Sequence, residues 1–286
     1  MSIEKNRPAE NADAALFCSV KMHGIRINRS TVRNALSEVD MLVRKREHNF
    51  VCFYEANLFS RALVEWNVRA AINQASLVYP DGIAPALCAK LCTDVDFPRI
   101  SGPTFLLKAC EYGLDKNWRH FFLGGAEGVA ERLAENLKKQ FPGLQIAGTY
   151  CPPFRPLSTA EEREVKNRIE AGHTDLLWVG LGGPKQEFWM LAHQGQIDVP
   201  VMLGVGAAFD FHSGNRPWAP KIIRKLGLEW LWRMLSGGRK TFLRNVKCVS
   251  HISLVLAKDI VRYYVLRRKK LPLQTRELPS VAESAK

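Results

Sequence analysis

Residues 119–141 read RHFFLGGAEGVAERLAENLKKQF, and the fold turns on how this stretch divides. An apolar, aromatic run ends at Leu123. A turn containing Gly124, Gly125 and Gly128 follows, then a pattern in which Val129, Ala130, Leu133 and Leu137 share one helical face. Strand, glycine turn and helix in immediate succession are the opening half of a βαβ unit.

The same grammar recurs on both sides. NFVCFY (49–54) precedes an amphipathic run from Asn57 to about Ile72, and SLVYP (76–80) precedes a helical pattern over 82–92. LQIAGTY (144–150) leads to STAEEREVKNRIEAG, where Ser158 and Glu161 fit a capping box. DLLWVGLGG (175–183) leads to a helix over 184–196 opened by Pro184, and VPVMLGVGAAFD (199–210) follows. The strands are continuously apolar rather than alternating, as in strands buried on both faces. The expectation is an α/β, Rossmann-like fold, a largely parallel sheet flanked by helices. From about Leu226 strand signals cease, and GLEWLWRMLSGGRKTFLRNVKCVSHISLVLAKDIVRYYVLRRKK reads as basic, aromatic-rich helix. The expected organisation is a core over 1–225 with its first ~20 residues disordered, a basic helical C-terminal appendage over 226–270, and a flexible tail over 271–286.

Composition excludes several classes. Of 286 residues, 47% are hydrophobic and 24% charged, as in a globular rather than a disordered chain. No secretory signal opens the sequence, and no apolar stretch is long enough to span a bilayer. The seven cysteines form no C-x-x-C pair and read as idle thiols of a reducing compartment. Net charge is +13, but it is localised. Residues 221–276 hold fifteen Lys/Arg against two Asp/Glu, and the remainder balances at 26 of each. A neutral body with a cationic C-terminal segment suggests that this segment meets an anionic partner.

In parallel sheets ligands bind beyond the carboxyl ends of the strands. Candidates at such ends are Asn57, Asp81, the glycines Gly124 and Gly125, Gln186 and Glu187 of GGPKQE (182–187), and Asp210. Asp81-Gly82 is equally good as a plain turn. The Gly124–Gly128 turn would aim free N–H groups at an anion such as a diphosphate, or would only let a helix pack on a strand. It is neither G-x-G-x-x-G nor a Walker loop, and no ribose-binding carboxylate follows the next strand, which disfavours a dinucleotide oxidoreductase. Asp94 and Asp96 spell the D-x-D of metal-using transferases, but they follow a helix end and read as loop carboxylates. His212 reads as a loop histidine. No metal site and no cofactor are expected.

Six blocks, YPDGIAPAL, RISGPTFL, FFLGGAEGVAE, WVGLGGPKQEFW, GVGAAFDFHSG and APKIIRKLGLEWLWRM, resemble in content and order the TagA/WecG/CpsF glycosyltransferases (glycosyltransferase family 26) over roughly residues 20–245. The resemblance implies an inverting, metal-independent transfer from a UDP-sugar donor to a polyprenyl-diphosphate-linked saccharide, in bacterial surface or exopolysaccharide synthesis. The enzyme would sit in the bacterial cytoplasm, peripheral on the inner face of the cytoplasmic membrane, with the C-terminal segment on anionic lipid. By the same resemblance Asp81 is the catalytic base and Arg99 an active-site arginine, while Asn57 and Gln186 contact the sugar nucleotide. Arg233 and Arg239 are the candidates to meet the acceptor diphosphate. This chain departs from the family pattern at Glu55, often threonine, at Trp218 in place of arginine, and at Gly237-Gly238 in place of an acidic-Pro pair. Glu55 would sit poorly beside an anionic uronic acid. No nucleic-acid partner is expected, and the oligomeric state, a homo-oligomer included, is left open. The rival expectation is a non-catalytic peripheral membrane or nucleic-acid binding module, motivated by the localised charge.

Overall fold

A computed structural model of the chain describes residues 17–225, 229, 231–232 and 238–276. Its centre is a six-stranded parallel sheet in the order β4-β3-β8-β7-β5-β6. The strands are β3 (Asn49–Tyr54), β4 (Leu77–Pro80), β5 (Arg119–Gly124), β6 (Gln145–Tyr150), β7 (Leu176–Gly180) and β8 (Val201–Gly204). Every residue of β3, β4 and β8 is buried, which is why these segments lack alternation. Only the edge strand β6 keeps its residues partly exposed.

Helices cover both faces. One apolar layer gathers α2 (Ala56–Val64), α3 (Trp66–Gln74), α4 (Ile83–Thr93), α7 (Thr159–Ala171) and α8 (Lys185–His193). The other gathers α1 (Val32–Lys45), α5 (Gly102–Gly113), α6 (Val129–Gln140) and the short α9 (Ala208–His212). Trp178, Phe50 and Phe122 are fully buried between the layers. Each such side chain contributes about 1.5–3 kcal/mol of burial free energy. Ser158 and Glu161 form the expected capping box at the start of α7. Helix α8 stops at His193, short of the expected 196, because Gly195 turns the chain at φ +74°.

Two parts of the architecture lay outside the sequence reading. The segment Phe17–Met22 (β1) and Ile25–Asn28 (β2) is an antiparallel hairpin, turned by His23 and Gly24, both at positive φ. It lies against the sheet edge, where Val78 N donates to the buried Asn28 Oδ1 at 2.9 Å. The tail expected to begin at 271 is structured for six residues more, because Gln274–Arg276 (β9) pairs antiparallel with β1.

The basic segment contributes α10 (Lys221–Lys225) and the 23-residue α11 (Gly238–Ile260), continued by a π-helical turn over Val261–Val265. Helix α11 rests on α2 and α4 through polar ties. Cys248 Sγ donates to Ala56 O (3.0 Å), Ser60 Oγ meets His251 Nδ1 (2.9 Å), and His23 Nε2 meets Asp259 Oδ2 (2.9 Å). The appendage is thus fastened to the body along its length.

Candidate functional site

A cleft of about 1000 Å³ opens at the carboxyl ends of the strands. Asp81 enters it because β4 ends at Pro80 and Gly82, at φ +96°, swings the chain into α4. The carboxylate is half-buried, and its Oδ2 accepts a hydrogen bond from Gly102 N at 3.1 Å. Arg99 lines the same cleft and donates through Nη2 to Arg224 O at 3.0 Å. The Arg224 guanidinium lies 3.6 Å from the centre of the Trp218 ring, so an aromatic face supports the helix α10 whose carbonyl holds Arg99.

The middle of the cleft is built by β3, β8 and β7, adjacent strands of the sheet. After β3, Glu55 is the N-cap of α2, its two oxygens accepting from Asn57 N (3.0 Å) and Leu58 N (2.9 Å). After β7, the first turn of α8 presents Gln186 and Glu187. The Gln186 amide is held at both ends: Oε1 accepts from Gly206 N (3.0 Å), and Nε2 donates to Glu187 Oε1 (2.9 Å). Burial pushes the Glu187 carboxyl up to about 7, with the Gln186 hydrogen bond opposing and the charge of Glu55 adding to the rise. Glu187 Oε2 is buried without a hydrogen-bond partner.

Asn57, Asp81, Arg99, Gln186, Glu187 and Asp210 all line this one cleft. Asp210 is tied locally, accepting from Asn215 Nδ2 at 2.6 Å and lying 3.4 Å from Arg216 Nε. Gly125 lines the cleft, but Gly124 lies behind it. Three N–H groups at the glycine turn and the helix start are engaged. Gly125 N donates to Gly180 O (3.3 Å), Val129 N to Ala126 O (3.0 Å) and Ala130 N to Cys151 Sγ (3.4 Å). Gly124 has φ +137°, and a Cβ there would lie 2.6 Å from the Gly180 carbonyl. Close packing of β5 on β7 explains Gly124, while a Cβ at Gly125 would lie 2.7 Å from the Val129 side chain, the helix-on-strand packing that the sequence offered as an alternative.

Asp94 and Asp96 do not line the cleft. Asp94 pairs with Lys270 (2.9 Å) and Asp96 with Lys90 (2.7 Å), at the far end of α4. His212 closes α9, its Nε2 against Pro103 O at 2.8 Å, and burial holds its pKa below the usual range. Arg233 lies outside the described residues. Arg239 falls within α11, but its side chain lies outside them as well.

The sequence reading missed three contributors. Asn245, Val249, Ile252 and Leu256 of α11 form a wall of the cleft. Their spacing at three and four residues was legible, but the partner of that face was not. The loop Pro152–Pro156 after β6 brings Phe154, 92% exposed, and Arg155, which forks onto Glu161 (2.7 and 2.8 Å). Lys185, exposed in the first turn of α8, was passed over between Pro184 and Gln186.

The family model described as "Glycosyl transferase WecG/TagA/CpsF family" matches residues 20–265. An N-acetylglucosaminyldiphosphoundecaprenol N-acetyl-beta-D-mannosaminyltransferase of Bacillus spizizenii is 33% identical over 190 residues, 66% of this chain and 72% of the relative. A protein of the same description from Staphylococcus aureus is 26% identical over 218 residues, 76% of this chain and 84% of its own.

Proposed function

The chain belongs to the WecG/TagA/CpsF family of glycosyltransferases, and on that premise we propose that it transfers a hexosyl group from a UDP-sugar to a polyprenyl-diphosphate-linked saccharide. Membership in an enzyme family sets aside the inert binding module. The relatives' names supply the acceptor class, since both describe transfer to a diphosphoundecaprenol-linked sugar.

The observation that carries the reading is Asp81. It is a carboxylate at the carboxyl end of the edge strand β4, on the wall of a large cleft, anchored by the Gly102 N–H. A transfer that inverts the anomeric carbon needs a base to take the proton from the attacking acceptor hydroxyl. A carboxylate fixed by one backbone donor can do so without reorganising. Arg99 places a planar cation in the same cleft for the departing diphosphate. The D-x-D carboxylates are occupied by lysines outside the cleft, which supports a reaction that does not use a metal.

Attachment to the membrane surface is part of the proposal. Among the described residues no helix is long and apolar enough to cross a membrane. Helix α11 and the turn after it expose Phe242, Leu243, Val246, Tyr264 and Leu266 beside Lys247, Arg262, Arg267 and Arg268. Apolar side chains among cations suit the headgroup layer of anionic lipid, here the inner face of a bacterial cytoplasmic membrane.

The test is Asp81→Asn, assayed with a UDP-sugar panel and a short-chain lipid-diphosphate-sugar acceptor. Transfer is expected to fall by about 10²–10⁴-fold while UDP still binds by calorimetry. Near-normal turnover overturns the assignment. In the wild type, transfer is expected to persist in excess EDTA, and its loss there would overturn the metal-independent reading.

A further inference from the structure

The geometry points to Glu55 and Glu187 as a pair that restricts the donor to neutral hexoses and rejects uronic acids. The inference rests on the reading of the chain as a UDP-sugar-dependent transferase and names the sugar class that the cleft accepts.

The two residues come from adjoining parts of the sheet and meet the cleft at its middle. Glu55 follows β3, Glu187 follows β7, and only β8 lies between them. Glu55 is not free to swing away. Two backbone N–H groups hold its carboxylate at the head of α2, and those bonds use two of its roughly four acceptor positions. The rest remain for the hydroxyls of a sugar. Glu187 adds a second carboxyl, whose Oε2 is fully buried and unpartnered. Gly183, which also lines the cleft, carries no side chain over it, and a Cβ at Gly183 would stand only 3.4 Å from that oxygen. A buried acceptor left open beneath a glycine gap is a place for a ligand hydroxyl. Asn57 and Gln186 line the same region and add neutral amides.

Among the described residues no Lys or Arg pairs with Glu55 or Glu187, although the charge of Arg61 is near enough to pull the Glu187 pKa down. The cations that line the cleft stand elsewhere or are engaged. Arg155 is forked onto Glu161, Arg216 lies against Asp210, Arg99 reaches the Arg224 carbonyl, and Lys185 is exposed in the first turn of α8. Glu187 is the buried member of the pair. Burial and, to a lesser degree, the charge of Glu55 hold its carboxyl up to about 7. A site in which burial already disfavours ionisation of a second carboxyl disfavours a third on a uronic acid. A neutral hexose brings hydroxyls that donate to these oxygens and adds no charge.

The test compares UDP-glucose with UDP-glucuronic acid, on one lipid-diphosphate-sugar acceptor, in the wild type and in Glu55→Gln and Glu55→Thr. Threonine is an N-cap in its own right, so it removes the carboxylate and keeps the start of α2. The wild type is expected to favour the neutral donor by about 100-fold in kcat/KM, the scale of a like-charge clash at an interface. Both variants should narrow that ratio at least about tenfold, chiefly through the KM of the uronic acid donor. The inference is overturned if the wild type uses the uronic acid donor as well as the neutral one, or if both variants leave the ratio unchanged. Those results leave the transferase reading standing. Absence of turnover with every UDP-sugar would instead remove that reading, and this inference with it.

Discussion

His23 and Asp259 meet at 2.9 Å across 236 positions of sequence, joining the turn of the first hairpin to the last helix. Cys92 Sγ of α4 approaches the same Asp259 oxygen at 3.6 Å, so three distant segments converge on one buried carboxylate. Asp259→Asn is expected to destabilise the protein by about 1–3 kcal/mol, the cost of leaving a buried polar partner unmatched. Thermal melts would show the loss, and limited proteolysis would show cutting concentrated around α11.

Glu187 makes stability depend on pH in a calculable direction. Its pKa rises from 4.5 to about 7 on folding. Below the lower value both states hold the proton and there is no penalty. Between the two values the unfolded chain ionises while the folded one does not, so stability falls as pH rises, by a total on the order of 3 kcal/mol. Above about 7 the loss is complete. Glu187→Gln should flatten the pH dependence of urea unfolding between pH 5 and 7, and an unchanged slope would contradict the assignment.

Gly124→Ala should be costly even though the glycine does not touch the cleft. The added methyl would stand 2.6 Å from the Gly180 backbone, in a conformation at φ +137° that side chains rarely adopt. Overpacking and backbone strain together amount to about 3 kcal/mol. Denaturant titration should show that loss with an unchanged m-value. UDP affinity, measured on the folded fraction, should stay close to that of the wild type.

Trp218→Ala tests the support beneath Arg99. Without the ring, the Arg224 guanidinium loses its aromatic face, and the carbonyl that orients Arg99 loses its anchor. A cation–π contact of this kind is worth about 0.5–2 kcal/mol, so kcat/KM should fall by about tenfold. Circular dichroism should be unaltered. Unchanged kinetics would show that Arg99 holds its place independently.

The parallel sheet was legible because its strands are buried on both faces. NFVCFY and LLWVG admit no amphipathic reading, and the helices between them carry clean apolar stripes. The hairpin and β9 were not legible for the opposite reason. They are short, their turn is His23-Gly24 rather than a familiar Asn-Gly, and β9 has three residues whose signal is a partner 255 to 259 positions away. Asp81 stood out by its strand end. The glycine turn did not resolve, since whether an N–H is free depends on how close β7 lies, a distance no local pattern encodes. Glu55 illustrates a half-read residue. Its departure from the family pattern was visible, and an acidic residue just ahead of a helix is a familiar cap, but the partnership with Glu187 needs the sheet order β3-β8-β7. The wall that α11 supplies was hidden likewise, because its docking face is chosen by Asp259, Cys248 and His251 finding partners far upstream.

The pairing of β9 with β1 has a bearing on synthesis. The strand that completes the small sheet begins at Gln274, 246 residues after Asn28, the last residue of the hairpin it joins, and it follows α11, which walls the cleft.

 Counted from the register itself, Ser19 waits for Gln274, and Phe17 for Arg276. A chain still being made has its parallel sheet and Asp81 in place long before either the wall or the closing strand has left the ribosome. The nascent protein therefore carries Asp81 in an open trough. The cleft gains its α11 wall, and the small sheet its third strand, only once the chain as far as Arg276 has been made.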